Sequence, residues 1–148
     1  MWNDTYPTTT TVSLGTHSYM NYSGRDYIMY AFADVNGFSK CGSYVGNNAS
    51  TFVYTGFKPK FLMIKNVSES NGWLMLDAER TTSNPMGAYI YANADSAEGT
   101  VSYIDFVSNG FGWVSTNIVS VNKYGNTFVY YAVGQSFVRS NNVLSKAR

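Results

Sequence analysis

Apolar positions along this chain alternate with polar ones or fall into short β-branched and aromatic blocks, and helical spacing is nearly absent. That pattern predicts strands. The blocks at 9–14, 27–33, 37–45, 51–54, 61–65, 72–77, 101–107, 111–116, 118–121 and 127–133 each read as one. Tyr27-Ile28-Met29-Tyr30-Ala31-Phe32-Ala33 is apolar on both faces, as in a central strand. Asn36-Gly37, Asn71-Gly72 and Asn109-Gly110 are hairpin signals, since this pair supplies positive φ. Residues 107–113 form the clearest hairpin, and 79–99 reads as a long surface loop with one strand at 88–91. Strands recurring every ~8–12 residues predict an all-β fold, an antiparallel β-sandwich of jelly-roll-like type with about ten short strands.

The chain also repeats itself. Asn21-Tyr22-Ser23-Gly24-Arg25-Asp26 and the strand that follows align without gaps on Asn122-Lys123-Tyr124-Gly125-Asn126-Thr127 and its strand. The shared pattern is Asn-x-x-Gly-x-x-aromatic-β-branched-x-Tyr-Ala, a tight turn entering a buried strand. Residues 1–36 therefore read as an N-terminal arm resembling the closing strands of a preceding repeat. Residues 37–148 read as one complete β-sandwich unit. Such an arm implies a tandem array or the completion of a sheet, its own or a neighbour's, with Tyr27, Ile28, Tyr30 and Phe32 as the assembly residues.

Composition narrows the classes. Aromatics make up 17% of the 148 residues and charged residues only 13%, which excludes disorder and coiled coil. A net charge of +1 gives no basic field for nucleic acid. No apolar run approaches the ~18 residues of a membrane-spanning helix, so no membrane insertion is expected. The first 30 residues carry neither a basic start nor an apolar core of ~7–15 residues, so no signal peptide is expected. Asn-x-Ser/Thr triplets at Asn3, Asn21, Asn48 and Asn66 follow from the abundance of these residue types.

Candidate chemistry is sparse. The single Cys41 allows no intrachain disulfide, and with the single His17 it cannot assemble a zinc site. Cys41 is expected as a small buried hydrophobe and His17 as a turn residue. Asp77 and Glu79 alternate on one strand face, with Asp95, Glu98 and Asp105 nearby in sequence. They would suit a glycosidase pair only at ~5–9.5 Å separation, and calcium only as part of six to eight oxygen ligands. Neither spacing motif is present, so no catalytic residue, metal or cofactor is expected. Arg80 is expected to pair with Asp77 or Glu79 and brace the long loop. Trp73, Trp113, Tyr89, Tyr91 and Tyr103 are the candidate ligand-binding residues, because aromatic faces stack on sugars while Asn and Ser serve hydroxyls. Of these, Tyr89 and Tyr91 are expected to be exposed, and the two tryptophans lean towards the core.

One resemblance gathers these motifs. Gly37-Phe38-Ser39-Lys40-Cys41-Gly42-Ser43-Tyr44, Phe52-Val53-Tyr54-Thr55-Gly56-Phe57-Lys58-Pro59, Phe61-Leu62-Met63-Ile64-Lys65, Gly72-Trp73-Leu74-Met75-Leu76-Asp77, Asn84-Pro85 and Asp105-Phe106-Val107-Ser108-Asn109-Gly110-Phe111 carry it. Together they resemble a β-rich repeat domain of tail-fibre and virion structural proteins of marine bacteriophages, particularly cyanophages. The match covers about residues 27–148, and Gly134-Gln135 departs from it where an acidic residue is usual. The resemblance implies a non-enzymatic virion protein, a tail-fibre or adhesin module for assembly and host-surface attachment. Its implied partners are itself, as homo-oligomer or array, other virion proteins and a host-surface glycan. The alternatives are a capsid or filament decoration protein that stabilises a lattice and, more weakly, a glycan-cleaving module.

Overall fold

The computed structural model describes residues 5–114, 119–135, 137–138 and 144–145, apart from the side chains of 101–103, 119, 137–138 and 144–145. The chain divides into two compact units, residues 1–32 and 33–148. The second holds strands β1 (Ser39–Val45), β2 (Phe52–Tyr54), β3 (Pro59–Asn66), β4 (Leu74–Asp77), β5 (Met86–Tyr91), β6 (Gly99–Val107), β7 (Gly110–Trp113), β8 (Thr127–Gly134), β9 (Phe137–Val138) and β10 (Leu144–Ser145), with one helical turn, α1 (Val119–Asn122). The fold is all-β. Eight strands form one sheet in the order β1-β8-β3-β4-β5-β6-β7-β2, and β10 pairs with β9 apart from it. Every pairing is antiparallel.

Period-two alternation builds the core. In β8, Phe128, Tyr130, Ala132 and Gly134 are buried while the residues between them are only half-buried. β3 contributes Leu62 and Ile64, β4 Leu74 and Leu76, β5 Met86, β6 Ile104 and Phe106, β7 Phe111 and Trp113, and β2 Val53. Each such side chain is worth roughly 1.5–3 kcal/mol when fully buried. The Tyr44 ring of β1 lies 6.2 Å from Phe111 and 5.8 Å from Trp113, on the strand near the opposite end of the sheet order. The sheet therefore curls around a single core, and its two halves serve as the facing layers of a sandwich.

β8 is an inner strand of that curl, next to the β1 edge. It pairs with β1 from Ser39↔Val133 to Val45↔Thr127 and with β3 from Pro59↔Gly134 to Asn66↔Phe128. Before it, α1 turns the chain where a strand over 118–121 was expected; residue 118 lies outside the described residues. Asn122, fully buried, explains the turn. Its Oδ1 accepts from the Asn47 amide at 3.1 Å, and its Nδ2 donates to the Ala49 carbonyl at 2.7 Å. An extended chain would carry this side chain away from the 47–51 loop.

Three other expectations are corrected. Residues 27–33 belong to no strand and are exposed, because a strand exists only through a neighbour's hydrogen bonds. In 9–14 the Thr8 hydroxyl accepts from the Thr11 amide at 3.0 Å, closing a local turn instead of a strand. Cys41 is exposed, since β1 turns its odd-numbered residues outward after Ser39. The free edge at Cys41 is covered locally. Asp34 Oδ1 accepts the Cys41 amide at 2.7 Å, and Ser39 Oγ donates to the Ala33 carbonyl.

Candidate functional site

The most ligand-like surface lies where β4 begins and β5 ends. Leu74 pairs with Tyr91, so the residues flanking this pair meet at one corner. There the Ala92 amide donates to the Trp73 carbonyl at 2.9 Å, and the Trp73 amide donates to Asn93 Oδ1 at 2.8 Å. Trp73 is 37% exposed, enough to present part of its indole. Tyr89 and Tyr91 meet edge to face, their centroids 5.3 Å apart at 75°. Both are half-buried against the core. Gly72 is required by this packing: a Cβ there would lie 2.6 Å from the Tyr91 ring. Asn71 Nδ2 is buried with no hydrogen-bond partner among the described residues. The corner thus joins a partly exposed indole, two braced phenols and amide groups, of which the Asn71 donor is buried.

The ligand-binding candidates do not all converge here. Trp73, Tyr89 and Tyr91 share the β4–β5 pair. Tyr89 and Tyr91 are strand residues half covered by the core, where exposed loop positions were expected. Trp113 is 3% exposed and packs against Tyr44 and Phe111, so its face is closed to a ligand. Tyr103 falls in β6 with its side chain outside the described residues. Sequence reasoning missed Asn71 and Asn93 as site residues: Asn71 was legible only as half of a turn pair before Trp73, and Asn93, 20 residues further on, carried no signal.

A second concavity of about 280 Å³ is lined by Lys58, Lys60, Glu79, Thr81, Ser83 and Asn84, among others. Its loop is rigidly held. Asn84 donates from Nδ2 to the Phe106 carbonyl at 2.8 Å and accepts the Phe106 amide at Oδ1. Arg80 braces the loop through Glu98 at 3.0 Å, a partner other than the expected Asp77 or Glu79. Asp77 Oδ1 accepts the Glu79 amide, and Glu79 pairs with Lys60 at 2.6 Å. Both acids are thus engaged in turn structure. Among the described residues no group of three or more His, Cys, Asp or Glu is placed to hold a metal.

Burial pushes the Tyr44 phenol far up, and its hydroxyl donates to the Val121 carbonyl at 2.7 Å. Burial, then the Asp34 and Cys41 charges, raise Tyr130. Burial and then Asp34 raise the Cys41 thiol, against a smaller lowering by Lys40, so thiolate reactivity is not favoured there. Hydrogen bonds from Lys123 and Asn126 lower Glu69.

The assembly candidates are all open to solvent: Tyr27 46%, Ile28 82%, Tyr30 78% and Phe32 56% exposed. Met29, between them, is 60% exposed. A contiguous run of large exposed side chains is unusual on a protein surface. No helix among the described residues is long and apolar enough to cross a membrane.

Residues 1–136 match a family described as a domain of unknown function (DUF7483), and the chain belongs to that family. No curated protein and no solved structure matches the chain.

Proposed function

We propose that this member of the family is a non-catalytic structural module of a bacteriophage virion, of tail-fibre or adhesin type. It assembles through its N-terminal arm, in a homotypic array or with other virion proteins, and attaches to a host-surface glycan. The observation that carries the reading is the β4–β5 corner, where Trp73 is 37% exposed and its amide is held by the Asn93 side chain. An indole face suits the C–H face of a pyranose, and amides suit its hydroxyls. The bacteriophage setting rests on the sequence resemblance. The non-catalytic part is supported by the engagement of Asp77 and Glu79 within a turn.

A panel of bacterial surface polysaccharides, titrated with the full chain and sized before and after incubation, tests this. The chain is expected to bind at least one member without shortening it, and Trp73→Ala is expected to weaken that binding about tenfold. Shortening of the polymer contradicts the non-catalytic reading. Binding to none, or binding unaffected by Trp73→Ala, contradicts the glycan corner.

A further inference from the structure

The repeat read from the sequence is also a repeat of geometry. In the first unit the Asn21 amide donates to the His17 carbonyl at 3.1 Å, a helical turn at the place α1 holds ahead of β8. The Arg25 amide then donates to the Tyr22 carbonyl at 3.3 Å, and the Asn126 amide to the Lys123 carbonyl at 3.2 Å. Gly24 and Gly125, matched by the alignment, both have φ 76°. Only glycine adopts that conformation without strain. After the turn the two copies part. One becomes β8, hydrogen-bonded on both sides, while 25–34 enters no strand.

β8 shows what each matched residue of the arm is shaped to do. Its inward row is Phe128, Tyr130, Ala132 and Gly134. The matched row is Tyr27, Met29, Ala31 and Ala33. Alanine recurs where Ala132 is fully buried, and an aromatic recurs where Phe128 is fully buried. Asn21 matches Asn122, which in its own copy is the buried clasp on the 47–51 loop. The arm therefore carries a whole plug: clasp, turn, ring and small residue in the order the slot demands. Asn21, however, is exposed, and its side-chain Nδ2 donates to the Gly15 carbonyl at 3.3 Å.

We infer that residues 17–33 are the closing element of another unit of this same fold, and that 26–33 enters the slot between that unit's first and third strands. This deepens the assembly half of the proposed function and rests on it, while standing apart from the glycan corner. The partner is a unit whose own closing strand is missing, since this unit's slot is filled. The slot here also departs from the arm in one detail. Gly134 faces Phe57 so closely that a Cβ would lie 2.6 Å from its ring, whereas the arm carries Ala33 at that position. The cognate unit must leave room for that methyl, so the arm is shaped for a related neighbour more than for an identical one.

The test opens the slot in the full chain. Phe128→Asp with Tyr130→Asp disables β8, and Ala33→Gly in the same chain relieves Phe57. Each such molecule then carries both an arm that enters no strand and an open slot. Light scattering is expected to give one chain mass for the wild type. The triple variant is expected to give a ladder of masses that grows with concentration, with β-sheet circular dichroism retained. Added Ala33→Gly chain, whose slot is filled by its own β8 and whose arm enters no strand, should cap and shorten the ladder. Adding Tyr27→Asp and Met29→Asp should abolish it. A ladder indifferent to these two changes overturns the proposal. If the triple variant does not fold, Phe128→Leu loosens β8 without placing a charge in the core. A synthetic 17–34 segment carrying Ala33→Gly should then raise the Tm of that variant by about 3 °C or more. The same segment with Tyr27→Asp and Met29→Asp should not. No difference between the two segments overturns the proposal, and the polysaccharide result is untouched either way.

Discussion

Asn122 and Asn21 occupy matched positions in opposite surroundings, and that contrast predicts their cost. Asn122→Ala strands the Asn47 amide and the Ala49 carbonyl, so a loss of about 2–4 kcal/mol is expected in urea unfolding. Asn21→Ala, at an exposed site, should change stability by less than about 0.5 kcal/mol. Equal losses would show that the two copies sit in equivalent environments. Tyr44 makes a second test. Burial holds its phenol protonated in the folded state, so its contribution is complete below the usual phenol range and is lost as pH rises through it. Tyr44→Phe should cost about 1 kcal/mol near neutrality through the lost bond to Val121, and should lessen the fall in stability above about pH 10. Single residues were only partly legible in the sequence. Of the three Asn-Gly pairs, only Gly37 has positive φ. Gly72 and Gly110 are glycine for want of space: a Cβ on Gly110 would lie 2.1 Å from the Val53 carbonyl oxygen. The β6–β7 hairpin accordingly turns at Ser108 and Asn109, between the paired Val107 and Gly110. Local turn chemistry can be read from adjacent residues, whereas a steric limit set by a distant strand cannot.

At the scale of elements, alternation identified the strands that bury one face. β3, β4, β7 and β8 fall where the apolar pattern put them, because period two is a property of the chain itself. One element that failed, 27–33, has an apolar pattern as strong as that of β8. Pattern alone cannot report whether a partner edge is at hand, and hydrogen-bonding neighbours make a strand. The corner at β4–β5 was legible through Trp73, while the covering of Tyr89 and Tyr91 depended on Gly72 and Gly99 admitting their rings. Links between elements carry their own prediction. Glu69, after β3, hydrogen-bonds Lys123, just before the turn into β8. This lowers its carboxyl, so the link contributes above the ordinary carboxylate range and is lost as pH falls through the folded-state value. Glu69→Gln should therefore flatten the acid limb of a stability–pH profile and leave the alkaline limb unchanged. An acid limb identical to that of the wild type would show that the link adds nothing.

For the whole molecule, one curled sheet contrasts with an exposed copy of the sequence pattern of its inner strand β8. The edges of the curl are poor sites for further pairing: β2 has three residues, and Asp34 occupies the Cys41 amide of β1. Surfaces that discourage random strand addition suit a module whose own exposed strand is reserved for a specific slot. Two segments that share one sequence pattern have opposite states in the dilute chain: one is hydrogen-bonded on both sides as β8, and the other enters no strand. Amide hydrogen exchange read residue by residue tests this most directly. Residues 128–132 should exchange more slowly than 27–31 by about 10³-fold or more, since β8 opens only with the fold. Comparable protection of the two segments would mean that the arm is already paired within its own chain, and would contradict the account.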